Sequence, residues 1–112
     1  MEDERRDGAL LLDMLTFAEQ AKAIVLDRSY ETFIKDRIRV LALERALELV
    51  GEAARKVTPA RKAAIPEIPW NLIAGQRNVL AHQYGRIDHF QIYRTASEDI
   101  PRLIEALKRT LD

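Results

Sequence analysis

Arg77-Asn78-Val79-Leu80-Ala81-His82-Gln83-Tyr84-Gly85 sets a permanent cation, an imidazole and a phenol within eight residues. Arginine stays protonated, and its planar fork matches phosphate oxygens. A histidine titrating near neutrality can take a proton in one step and return it in another. Together they could support transfer at a phosphodiester. His82 would remove the ribose 2′-hydroxyl proton or protonate the leaving 5′ oxygen. Arg77 would hold the charge that develops on the phosphorane. This chemistry requires no metal ion. Spacing constrains it, because five positions on a straight helix turn by about 500° and leave the two side chains about 140° apart. The reading therefore expects the helix to stop near residue 81 so that His82 swings round, with assembly across a dimer as a second route. Taken by composition alone, a His and an Arg near a helix C-terminus are more often dipole partners or surface cations. Tyr84 alone reads as a half-buried residue with a satisfied hydroxyl.

The elements that must position these groups read as helices almost throughout. A first helix is expected over residues 4–26, where Leu11, Met14, Leu15, Ala18, Ala21 and Val25 recur at steps of three and four. Asp27, Arg28 and Ser29 break it, and Ser29 can cap the next helix. That second helix covers 30–57, bent near Asp36. Val40, Leu43, Leu47, Val50 and Ala54 form its stripe, which Ile38, Ala42, Ala46 and Leu49 widen. So broad a band suggests contact on two sides. Gly51 sits inside this helix at a cost of about 1 kcal/mol against Ala; it either admits another backbone closely or is a tolerated imperfection. Residues 61–69 read as a loop, since Ile65-Pro66 and Ile68-Pro69 disfavour helix before each proline. A third helix is expected over 69–81, burying Trp70, Ile73 and Leu80, then a connection over 82–87. Asp88 caps the last helical stretch, which Pro101 should kink or restart near residues 97–99. No segment alternates with period two long enough for a strand. The expected fold is all-α, an antiparallel four-helix bundle occupying one domain, residues 1–112.

The 112 residues leave no room for two ordinary domains, and 47% hydrophobic with 32% charged residues suits a chain that buries a core. A small aliphatic core is marginal at this length, and a homodimer would cover more apolar surface. Eighteen basic and eighteen acidic residues give zero formal charge, so any RNA contact must come from a local patch. The absence of cysteine excludes disulfide scaffolds, thiolate metal sites and cysteine nucleophiles. No apolar run approaches the roughly 20 residues that span a bilayer, and the acidic N-terminus is unlike a signal peptide. A cytoplasmic protein without membrane contact is expected.

Arg77-x4-His82-x-Tyr84 resembles the signature of HepT proteins, small HEPN-domain ribonuclease toxins paired with MntA-type minimal nucleotidyltransferase antitoxins. Val50-Gly51-Glu52-Ala53 is similar to the family's Ile-Gly-Glu-Ala. Ile68-Pro69-Trp70, Arg77-Asn78, Ile87-Asp88 and Asp99-Ile100-Pro101 resemble its further landmarks. The resemblance runs from about residue 10 to 108. It implies a HEPN-like helical homodimer whose two signatures face one cleft. It makes Arg77 and His82 the ribonuclease pair, Asn78 their polar neighbour, and Tyr84 the tyrosine that the partner modifies with AMP. Added AMP would bring phosphate charge beside Arg77 and block the groove. The substrate implied is RNA, tRNA or mRNA, with no cofactor and no metal. Gln76 and Tyr93 depart from the family pattern without touching the signature.

Weaker features complete the reading. Arg55, Lys56, Arg61 and Lys62 form a basic stretch that could bind RNA phosphates, or could simply be a solvated helix end. Asp13, Glu44 and Glu48 could place carboxylates on helix faces, but no Glu-x-x-His pattern accompanies them. His89 reads as a surface residue. Two other functions fit the same residues: a non-catalytic nucleotide- or substrate-binding subunit of a two-component nucleotidyltransferase, and a plain dimerisation bundle.

Overall fold

The computed structural model describes residues 1–82, 85 and 87–111. Tyr84, the expected modification site, lies outside the described residues. The described residues are all-helical, with no strand among them: α1 (Glu2–Val25), α2 (Tyr30–Lys35), α3 (Arg37–Lys56), α4 (Pro59–Ala64), α5 (Trp70–His82), α6 (His89–Arg94) and α7 (Ile100–Leu111), with a π-turn, Thr95–Asp99, joining the last two. None of these helices is long and apolar enough to cross a membrane.

Helix ends follow local chemistry. Asp27 takes a left-handed conformation, φ 59°, which stops α1. Ser29 then accepts the backbone N–H of Thr32 and caps α2. The bend expected at Asp36 is a full break. Asp36 leaves helical angles, and its carboxylate accepts the N–H of Arg39 to start α3. Residues 61–69 are not all loop: Thr58 accepts the N–H of Arg61 and Pro59 occupies the first helical position, so the chain winds into α4 before Ile65. The Trp70 indole N–H is shared between the carbonyls of Lys62 and Ile65, 3.1 Å each, which ties the start of α5 to the end of α4. Asp88 caps α6 by accepting the Gln91 N–H at 3.1 Å. The last helical stretch is interrupted over Thr95–Asp99 and restarts at Ile100, just ahead of Pro101, as that proline's position predicts. The π-turn ahead of it absorbs the strain, with the Ile100 N–H reaching back five residues to the Thr95 carbonyl.

Packing runs as a row: α5 lies on α3, α3 on α1, and α1 on α7. Leu11, Met14, Ala18 and Ala21 of α1 are fully buried against Val40, Leu43, Leu47 and Val50 of α3 and Leu103 and Leu107 of α7. Each large aliphatic side chain so buried contributes roughly 1.5–3 kcal/mol. On the far side of this row, the Gln76 side-chain amide donates to the Thr95 hydroxyl at 3.2 Å and links α5 to the π-turn. A groove of about 650 Å³, floored by Leu47 and Val50, separates α5 from α6 and α7. A second small cluster fixes α2 to α6: Tyr30 meets Phe90 edge-on at 5.0 Å, and the Tyr93 hydroxyl donates to the Arg28 carbonyl.

Candidate functional site

Arg77 sits on the side of α5 that faces the last turns of α3. Its aliphatic stem lies across Gly51, where a Cβ would stand 2.4 Å from the Arg77 Cβ and 2.8 Å from its Cγ. The glycine is therefore a slot for an arginine side chain, which decides between the two readings of Gly51: the close approach is real, and the approaching group is a side chain. The interior of a helix otherwise disfavours glycine.

The slot holds the guanidinium beside Glu52. Arg77 Nη2 lies 2.8 Å from Glu52 Oε2, with the two side chains 21% and 30% exposed. Arg77 Nη1 donates to Asn78 Oδ1 over a long 3.4 Å, so Asn78 is close to the arginine it was expected to support. Arg77 Nε is buried without a hydrogen-bond partner among the described residues. An unmet buried donor of this kind costs about 1–3 kcal/mol, so a purely structural arginine would be poorly placed here.

Glu52 gathers two more cations through its other oxygen. Arg55 Nη2 donates to Oε1 at 2.8 Å and Lys56 Nζ stands 3.8 Å away. The Arg55 hydrogen bond, against partial burial and with the charges of Arg55, Arg77 and Lys56, holds the Glu52 carboxyl below the usual glutamate range. One carboxylate thus faces three permanent or near-permanent cations.

His82 is exposed and is the last residue of α5. The helix does not stop short of it. On a regular helix His82 leaves the axis about 140° round from Arg77, so the two do not share a face of α5 within one chain. The expected swing at residue 81 is replaced by a helix that continues one residue further.

The basic stretch divides. Arg55 and Lys56 join Arg77 around Glu52, while Lys62, on α4, stands 5.8 Å from the centre of the Trp70 ring, and Arg61 lies near enough to lower the pKa of Asp7. Of the other carboxylates singled out from the sequence, Glu44 meets His89 Nε2 at 3.3 Å and Glu48 meets Arg45 Nη1 at 3.2 Å. His89 is thereby tied to α3 and is more than a bare surface residue. Sequence reasoning missed Glu52 as a site residue. The signal available was its position beside a glycine in mid-helix.

Residues 14–110 match the family model described as Ribonuclease HepT-like. The chain is 34% identical to "Putative RNase MJ1380" of Methanocaldococcus jannaschii over 85% of its own length and 87% of that protein's. It is 31% identical to "Putative RNase MJ0125" of the same organism over 92% and 89%. It is also 34% identical to "Probable ribonuclease HepT" of Thermococcus cleftensis, over 83% and 84%. No solved structure matches the chain.

Proposed function

Since the chain belongs to the HepT-like ribonuclease family, we propose that it is a metal-independent endoribonuclease, with Arg77 and His82 as its catalytic pair and Asn78 in support. The observation that carries this reading is the Arg77 guanidinium, set in a glycine slot and fixed at 2.8 Å by Glu52, at the end of a helix whose last residue is an exposed histidine.

An imidazole nitrogen of His82 takes the proton of a ribose 2′-hydroxyl. The freed oxygen attacks the adjacent phosphorus, and the bond to the 5′ oxygen breaks. An imidazolium returns a proton to that leaving oxygen, giving a 2′,3′-cyclic phosphate and a 5′-hydroxyl. Arg77 neutralises charge on the non-bridging oxygens as the pentacoordinate phosphorus forms. Arg55 and Lys56, beside it, supply backbone affinity, and Arg61 and Lys62 extend the basic track along α4.

A homodimer completes the site by bringing His82 of one copy toward Arg77 of the other. Two features support this. The angular separation on α5 keeps the pair apart within one chain. An unpartnered stripe on α3 also leads to the site: Ile38 is 81% and Leu41 48% exposed, Ala42 is exposed and Leu49 half-buried, and one further turn reaches Glu52. In the cell the protein is the toxin of a toxin–antitoxin pair. It is silenced when an MntA-type nucleotidyltransferase adds AMP to Tyr84, and the phosphate charge of that AMP would compete with RNA for Arg77.

Cleavage of tRNA and mRNA in EDTA tests the chemistry. Arg77→Ala and His82→Ala are each expected to lose at least 100-fold in rate. Mixing the two inactive variants under subunit exchange should restore activity, because one composite site per mixed dimer is intact. A His82→Ala protein that cuts like the parent ends the assignment. For Tyr84, intact mass after co-expression with an MntA-type nucleotidyltransferase partner should rise by AMP increments, and Tyr84→Phe should remove the rise. An unchanged rise excludes that residue.

A further inference from the structure

Glu52 is out of place at a site that must attract phosphate. Its negative charge repels RNA, yet it occupies the centre of the cation cluster. Helix geometry accounts for two of its partners, since Arg55 and Lys56 lie three and four residues ahead on α3 and such surface pairs form readily. It does not account for the third. Arg77 comes from another helix, enters through a slot made by deleting a Cβ, and meets the second carboxylate oxygen at 2.8 Å, while its own Nε has no partner among the described residues. Gly51 and Glu52 are consecutive. The first makes room for the stem of the arginine, and the second fixes the plane and direction of its fork.

We propose that Glu52 is a positioning residue: it orients the Arg77 guanidinium for the phosphorane and offsets one of three clustered positive charges, so that RNA is held loosely enough to turn over. This rests on the ribonuclease reading above. The two effects push steady-state constants in opposite directions. Removing the carboxylate charge frees Arg77 to rotate, which lowers kcat, because stabilisation aimed at a transition state depends on fixed geometry. The same change raises the local charge from a formal +2 to +3, which tightens phosphate binding and steepens its salt dependence. A residue serving only the fold would instead lower thermal stability and the active fraction, leaving KM unchanged.

The test is steady-state cleavage by the assembled protein with Glu52→Gln and Glu52→Asp, together with binding of a 2′-deoxy-substituted oligonucleotide that cannot be cut. Glu52→Gln is expected to lower kcat tenfold or more and KM several-fold, and to bind the uncut oligonucleotide several-fold more tightly with a steeper salt slope. Glu52→Asp, which keeps the charge on a shorter arm, should return KM to the parental value and recover part of kcat. If Glu52→Gln is poorly folded, Glu52→Asp alone still decides: parental KM with reduced kcat supports the inference, and parental kcat overturns it. Unchanged kcat in Glu52→Gln, or a raised KM, also overturns it. Arg77→Ala separates the two levels. If it is inactive while Glu52→Gln is at the parental rate, only the positioning role fails. If it cuts normally, the assignment of Arg77 to the catalytic pair fails with it; if the parent protein itself does not cut RNA, the ribonuclease reading fails.

Discussion

Asp7 and Glu52 are each a carboxylate that joins segments far apart in the sequence, but their surroundings differ in kind. Asp7, on α1, is 3% exposed. It accepts the Thr58 backbone N–H at 3.0 Å and the Thr58 hydroxyl at 2.6 Å, while that hydroxyl in turn accepts the Arg61 N–H that opens α4. Its direct hydrogen-bond partners are neutral and matched in number to its oxygens. Glu52 is half-buried and faces three cations, one of which has a buried donor without a partner among the described residues. A closed set of neutral bonds pins the second turn of α1 to the start of α4. Around Glu52, three cations face one acid and leave a local surplus of positive charge.

Three perturbations probe that contrast, in decreasing order of effect. Gly51→Ala strikes the site side hardest. The new methyl would overlap the Arg77 Cβ, which is too near the backbone to step aside, so α5 must shift. Cleavage should fall at least tenfold, with about 1–3 kcal/mol of overpacking partly offset by about 1 kcal/mol of helix propensity. RNA digestion and thermal melting measure the two parts, and a fully active Gly51→Ala protein would show that the slot has no role. Asp7→Ala should do the reverse. It leaves two donors of Thr58 unmet, lowers stability by about 1–3 kcal/mol, and preserves kcat and KM. A loss of activity at unchanged stability would dissolve the distinction between the two acids. Acid should expose the smallest difference. Burial raises the Asp7 carboxyl, but the Thr58 hydroxyl and N–H, with the charges of Arg61 and Arg6, carry it below its ordinary value of 3.8. A depressed folded value stabilises the protein above the unfolded value, and that stability is lost as pH falls through the folded one. Melts taken below about pH 4 should therefore decline less steeply for Asp7→Ala than for the parent.

Local chemistry carried much of the fold into the sequence. Ser29 and Asp88 announce helix starts because a short polar side chain satisfies free N–H groups of its own helix, and Asp36 does the same although its sequence neighbourhood reads only as a bend. The disturbance ahead of Pro101 follows from the missing donor alone. Helix α4 escaped notice because six residues hold too little periodicity to register, although Thr58-Pro59 is a cap followed by a first-turn proline. At the site, the angular gap between Arg77 and His82 could be calculated from their spacing. The pairing of Arg77 with Glu52 could not, since 25 positions separate them and only the packing of α5 on α3 brings them together. Asp7 and Thr58, 51 residues apart, were hidden for the same reason.

The π-turn between α6 and α7 fits one residue more into a turn than an α-helix would. Every side chain beyond it is thereby rotated by about 100° relative to an uninterrupted helix. Leu103 and Leu107 meet α1 only with that phase. Shortening the turn by one residue could yield a smoother helix while swinging its greasy side off the core. The number of residues between Arg94 and Ile100 is thus under as tight a constraint as the identity of any one of them.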